Sequence, residues 1–242
     1  RLASVGLPEE SWFVGLHLRT LGYPNDPRSV HGGSVIAAIQ EVISQGGFVV
    51  NFGTNRMEPL VEHPQYLELS SLLERQADMH PYILQKSEFL LTTNSGPAVV
   101  AHILGTDLLQ FNTTSIARNS LSSWATAYYL PAVLVDDYGH EKSLLQMFEA
   151  TSAWWEPTPG SRTARKARLR RSTSNEILSA CQDLLRRKGL SSTGYLPDAV
   201  LARDLERIRR QTGAVSFGDF APSFLVRQAE RDFQRGRPSE QR

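Results

Sequence analysis

Two residues near the start of the chain, His17 and Arg19, have the types and spacing that handle phosphate. They close an apolar run from Trp12 to Arg19 (WFVGLHLR) that reads as a β-strand, and residues two apart on a strand project to the same side. At a strand end open to a ligand, arginine clamps phosphate with two parallel N–H donors, and histidine beside it adds a hydrogen bond. The plainer reading of an isolated H-x-R is a core histidine next to a surface arginine. A second group, Asn94-Ser95-Gly96, follows the run Phe89 to Thr93 and precedes Pro97. Asn, Ser and Gly break strands and cap helices, and Pro suits a first helical turn because it has no N–H to leave unpaired. A third group, Gly53-Thr54-Asn55, lies beyond a strand at Phe48 to Phe52. If the three strands share one parallel sheet, the three loops meet at its carboxyl edge. There open α/β sheets bind ligands and a helix N-terminus favours phosphate. A strand-to-helix turn with no ligand is the competing reading.

Other chemistries fit less well. A nucleophile elbow at Ser95 needs glycine two residues to either side, and Thr93 and Pro97 stand there. Asp136-Asp137 could hold a divalent ion, but a solvated turn explains the pair more simply. The six histidines show no metal-ligand spacing such as H-x-x-x-H, and neither a Walker A sequence nor G-x-G-x-x-G is present. The run Arg162 to Arg171 (RTARKARLRR) carries five Arg and one Lys. It could meet nucleic acid, anionic lipid or an acidic surface, yet no aromatic residue interleaves it to stack bases, and a solvated connector is the commoner explanation.

The elements that must position these residues alternate between strand and helix. After the Trp12–Arg19 strand comes a loop over 20–32, then apolar residues at helical spacing from Gly33 to Gln45. Gly46-Gly47 ends that helix before the strand at Phe48 to Phe52. A minor strand is expected within Tyr66 to Leu73, and a helix from Arg75 to Lys86 burying Ala77, Met79, Tyr82, Ile83 and Leu84. Ala98 to Leu104 forms the helix behind the Ser95 loop, Gly105 closes it, and Leu108 to Phe111 is the next strand. A strand at Leu130 to Val135 and an amphipathic helix at Ser143 to Trp155 complete the series. This order predicts an α/β, Rossmann-like doubly wound parallel sheet. After Pro157-Thr158-Pro159-Gly160-Ser161 the pattern becomes helical: Ser174 to Lys188, a helix from Asp198, and a third from Pro222 to Phe233. The expected division is therefore a Rossmann-like domain over 1–156 and a basic helical extension over 157–242. Charge divides at the same place, with 8 Lys/Arg against 16 Asp/Glu in 1–160 and 18 against 9 in 161–242.

With 242 residues, 40% of them hydrophobic, the chain can bury a sizeable core. A single cysteine, Cys181, excludes an internal disulfide. No apolar run approaches the roughly 18–20 residues that span a bilayer. The expected location is cytoplasmic, with a membrane-peripheral placement as the alternative, and a start at Arg1 rather than Met is read as a piece of something longer. Asn112-Thr113-Thr114 matches a glycosylation sequon.

With these residues in view, the chain resembles a glycosyltransferase family whose donor half is related to the fucosyltransferase-like members of the GT-B architecture. The resemblance rests on GLHLRTLGYPND, where the family has a strand ending in His-x-Arg and then a Tyr-containing loop. It continues through GGFVVNFGTNRMEPL, ADMHPYILQKSEFLLTTNSGPAVVAHILGTDLLQFN and APSFL, and covers most of residues 12–112. What the resemblance implies is sugar transfer from a nucleotide-sugar, with no cofactor and no metal. Arg19 and His17 would stabilise the diphosphate leaving group, Asn94-Ser95-Gly96 would hold the phosphates or ribose, and Gly53-Thr54-Asn55 would line the nucleotide pocket. The donor is taken first as GDP-linked, the acceptor as a glycan or other hydroxyl compound, and a second α/β domain before Arg1 would carry the acceptor side. The chain departs from the family at Asn51, where the family tends to carry Arg, and at Thr20 and Thr54, where it tends to carry an acid. The alternatives are a polysaccharide pyruvyl transferase-like enzyme and a non-catalytic domain that binds a nucleotide or partner.

Overall fold

The computed structural model describes residues 3–19, 28–53, 58–69, 76–113, 127–142, 147, 168–192 and 219–228. Nine strands are present among them: β1 Phe13–His17, β2 Phe48–Asn51, β3 Tyr66–Glu68, β4 Leu90–Thr93, β5 Leu108–Thr113, β6 Ala127–Pro131, β7 Val133–Val135, β8 Arg168–Arg170 and β9 Asp219–Phe220. The helices are α1 Ile36–Ser44, α2 His80–Lys86, α3 Gly96–Leu104, α4 Ser174–Arg187 and α5 at 222–228. Short 3-10 turns, Gly32–Val35 and Gln76–Met79, lead into α1 and α2.

Seven strands form one sheet in the order β3-β2-β1-β4-β5-β6-β9, and every pairing in it is parallel. The chain steps outward from β1 through β2 to β3, then returns to the far side of β1 for β4. That reversal makes the gap between β1 and β4 the topological switch point of the sheet. Right-handed crossovers in opposite directions put α1 on one face and α2 and α3 on the other. Covered on both faces, β4 and β5 are buried at every residue, including the polar Thr92, Thr93, Gln110, Asn112 and Thr113 toward their carboxyl ends.

Close approach is written into the glycines. A Cβ on Gly15 would stand 3.1 Å from Leu90 Cδ1, so its absence leaves room for the Leu90 side chain of the neighbouring β4, with Ile83 of α2 in ordinary contact at 3.5 Å. On the other face α4 packs against α1, with Cys181 Sγ 4.0 Å from the Ala38 carbonyl oxygen. The two ends of α4 are tied to opposite edges of the sheet. Lys188 Nζ lies 3.0 Å from Asp107 Oδ2, before β5, while Ser172 N–H donates to Asn112 Oδ1 at 2.7 Å, at the end of β5.

Several sequence expectations change in the structure. The Leu130–Val135 strand is two strands, because Pro131 cannot donate to the ladder; β7 leaves to pair antiparallel with β8. The extension after 157 is helical in α4 and α5, and it also supplies β8 and β9, the latter lying beside β6. Its Ile177, Ala180, Leu184, Leu185, Phe224 and Leu225 belong to the same hydrophobic cluster as β1, β2 and β4. Tyr82 is exposed at 47%, since the short α2 turns only Ile83 and Leu84 inward. Asn112 is fully buried and φ there is 54°; its amide also donates to the Ser29 carbonyl at 3.2 Å, so in the folded chain this sequon offers no acceptor nitrogen. Residues 162–167 of the basic run lie outside the described residues; at its described end Arg170 joins an ion-pair network, reaching both Glu141 and Glu176 at 2.8 Å. The expected helices at 143–155 and from Asp198 lie outside the described residues, apart from Met147.

Candidate functional site between the ends of β1 and β4

The carboxyl ends of β1 and β4 bring three of the expected groups together. Register pairs His17 with Thr92, one residue before the end of β4. The Ser95 hydroxyl lies 3.2 Å from His17 Nδ1 and 3.2 Å from Thr92 Oγ1. Thr92 Oγ1 in turn is 3.0 Å from the main-chain carbonyl oxygens of both His17 and Thr93. Arg19 is pinned through its backbone, its N–H donating to Thr93 Oγ1 at 3.0 Å and its carbonyl accepting from Val30 N–H at 3.1 Å.

The other edge of the imidazole faces the end of β2. A Cβ on Gly53 would come within 3.8 Å of His17 Cδ2 and Nε2, so the ring bridges the Ser95 loop and the Gly53 loop. Its face lies against Phe52, with centroids 5.5 Å apart, and Phe52 lies 5.0 Å from His80 at the start of α2. Burial, then the neighbouring His80, drives the His17 imidazole down to about 4, offset in part by its own main-chain carbonyl. Burial also lowers His80, whose Nε2 is buried with no hydrogen-bond partner among the described residues. His17 is therefore a neutral hydrogen-bonding group at neutral pH, not a cation.

Ser95 is the N-cap of α3, yet its hydroxyl makes no bond to the helix. A serine in that position ordinarily accepts from the N–H of the second or third helical residue. Here its hydroxyl is turned toward His17, and the start of α3 at Gly96 is exposed with open space around it. Asn94 sits half-buried in the intervening turn. Thr54 and Asn55 lie outside the described residues. The Ser95–His17 contact does not amount to a hydrolytic dyad. No carboxylate is paired with the imidazole among the described residues, and a ring held near 4 is a poor base for a hydroxyl.

Three participants were not picked out from sequence: Thr92, Phe52 and His80. Thr92 read only as the β-branched end of a strand, and His80 as part of a helix. The run Thr92-Thr93-Asn94-Ser95, four hydrogen-bonding side chains in succession at a strand end, was the available signal.

Asp136 serves a turn, its Oδ1 accepting from the N–H groups of Tyr138 and His140 at 3.0 and 2.8 Å. Among the described residues no cluster of His, Cys, Asp and Glu could hold a metal ion, and no helix is long and apolar enough to cross a membrane.

No family model matches the chain, and neither does any curated protein. Three solved structures are similar in part. The ADP-heptose lipopolysaccharide heptosyltransferase II of E. coli aligns at a TM-score of 0.43 and 18% identity, over 52% of this chain and 40% of that one. The glycosyl transferase family 9 structure from Veillonella parvula DSM 2008 aligns at 0.38 and 16%, over 53% and 37%. The dodecameric iron-containing heptosyltransferase TibC, in complex with ADP-D-beta-D-heptose, aligns at 0.39 and 12%, over 78% and 48%. The chain spans less than half the length of each.

Proposed function

We propose that this chain is the donor-binding half of a glycosyltransferase, which transfers a sugar from a nucleotide-sugar to a glycan or other hydroxyl acceptor without a metal. The observation that carries this reading is the convergence of His17, Ser95, Thr92 and the Arg19 backbone at the switch point of a parallel sheet, beside the open start of α3. In the reaction the bond from the anomeric carbon to the donor phosphate breaks, and its electron pair leaves with the diphosphate. The acceptor oxygen forms the new bond and gives up its proton to a base that the acceptor side supplies. What a donor half must do is bind the nucleotide and hold the growing negative charge with fixed positive charge and N–H dipoles. Arg19 and the Gly96 N–H at the positive end of α3 suit that task; Pro97 has no N–H, and the Ala98 N–H already donates to the Ser95 carbonyl at 3.2 Å. The acceptor side would come from a second α/β domain.

Calorimetric titration of the chain with GDP, UDP and ADP tests the reading and identifies the base. One of them is expected to bind, and Arg19→Ala to weaken it at least about tenfold, or about 1.4 kcal/mol. Arg19→Lys should recover only part, because an ammonium keeps the charge and loses the two-pronged geometry. Binding of none of the three would leave the non-catalytic partner-binding reading in its place. Turnover by a two-domain protein that EDTA abolishes would overturn metal independence.

A further inference from the structure

The hydrogen bonds around Thr92 dictate which ring nitrogen of His17 carries the proton. Thr92 Oγ1 has one proton and lies 3.0 Å from each of two carbonyl oxygens, those of His17 and Thr93. Carbonyl oxygens only accept. If Thr92 gave its proton to Ser95 instead, its oxygen would face two carbonyl oxygens at that distance with no hydrogen between, in a side chain that is fully buried. Leaving such groups unpaired costs about 1–3 kcal/mol. Thr92 therefore donates to a carbonyl, and Ser95, 3.2 Å away, donates to Thr92. With its single proton spent there, the Ser95 oxygen can only accept from His17 Nδ1. The chain of donors runs His17 Nδ1–H to Ser95 to Thr92 to main-chain carbonyl.

The geometry assigns His17 as the Nδ1–H tautomer, its bare Nε2 turned toward Gly53 as a hydrogen-bond acceptor for a ligand hydroxyl, and Thr92 as the residue that positions it. A bare nitrogen repels a phosphate oxygen and welcomes a ribose or sugar hydroxyl. Nε2 has no partner among the described residues, and Gly53, lacking a Cβ, leaves that edge of the ring uncrowded. The lowered basicity of the imidazole works in the same sense, because the ring stays neutral and keeps its lone pair at neutral pH. This inference rests on the donor-site reading for its ligand, and it revises the part that the family resemblance implies for His17: the histidine reads a hydroxyl, while Arg19 and the start of α3 are left to meet the diphosphate.

The test is the long-range proton–nitrogen correlation spectrum of the chain labelled with ¹⁵N-histidine at pH 7, with His17 assigned through His17→Phe. The parent is expected to show a proton-bearing Nδ1 and a bare Nε2. In Thr92→Val the Ser95 hydroxyl is freed to donate to the ring, so the proton should move to Nε2; Thr92→Ser, which keeps the hydroxyl, should retain the parental pattern. Addition of whichever of GDP, UDP or ADP binds should leave Nε2 bare. A proton on Nε2 in the parent, or an unchanged pattern in a folded Thr92→Val, overturns the assignment. Protonation of Nε2 on nucleotide binding puts His17 on phosphate and overturns the hydroxyl contact. If calorimetry shows that no nucleotide binds the parent, the donor-site reading falls and the hydroxyl ligand with it. The nitrogen pattern of the ligand-free chain still decides the tautomer.

Discussion

His17 pays for its position in proton affinity. Its imidazole falls to about 4 in the folded chain from an ordinary value of 6.5, chiefly by burial. Between those values the unfolded chain binds the proton that the folded chain refuses, so stability is complete above about pH 6.5 and is lost as pH falls toward 4. His80 and His102, lowered by the same cause, act in the same direction. Glu176 has its carboxyl pushed up by burial, but Arg170, the Thr173 N–H and Arg227 outweigh this and hold it below its usual 4.5, so its contribution is lost at lower pH. Urea midpoints measured across the interval from pH 7 to 4.5 should therefore decline. His17→Phe should make the decline shallower, and equal slopes in parent and variant would show that His17 is not depressed. From the sequence His17 and Arg19 looked like equal partners on one strand side. The structure holds Arg19 by its backbone beyond the end of β1 and leaves His17 as the hub.

At the scale of elements, α4 is closed at its start by a local device. Thr173 and Glu176 form a capping box: Glu176 N–H donates to the Thr173 hydroxyl at 3.3 Å, and Thr173 N–H donates to Glu176 at 2.8 Å. The same carboxylate pairs with Arg170 at 2.8 Å and with Arg227 on α5, tying β8, α4 and α5 together. Thr173→Ala should cost about 1 kcal/mol, the ordinary value of an N-cap. Glu176→Ala should cost about 3 kcal/mol or more, since it also leaves the partly buried Arg227 guanidinium without its anion and takes from Arg170 one of its two. Chemical denaturation of both variants checks the order, and equal losses would mean that the cap alone matters. Thr-x-x-Glu before an apolar run is legible in sequence because both partners are local. Arg227 is 51 residues beyond Glu176, and nothing in the periodicity connects them.

For the whole molecule, the question is whether the acidic first part and the basic second part behave as one unit. The apolar residues of α4 and α5 complete the cluster that covers the sheet, and β9 lies beside β6. The chain should therefore unfold in one cooperative transition, with fluorescence and far-UV circular dichroism coincident. A chain ending at residue 156 should lose that transition, having lost Ile177, Leu184, Leu185 and Phe224 from its core. Two separate transitions in the parent, or a cooperatively folded 1–156, would show that the compositional break is a structural one.

The alternation of strands and helices up to Phe111 was readable from sequence alone, because the elements there carry their own periods and Gly46-Gly47, Asn94-Ser95-Gly96-Pro97 and Gly105 mark boundaries between them. The identity of the loops at the sheet's carboxyl edge followed from that order. Strand order did not, since the return from β3 to the far side of β1 leaves no mark on local pattern, and it alone makes His17 and Ser95 neighbours across 78 positions. Nor did the direction of their hydrogen bond. That depends on two main-chain carbonyl oxygens reaching one threonine hydroxyl, a contact that exists only once β1 and β4 are paired.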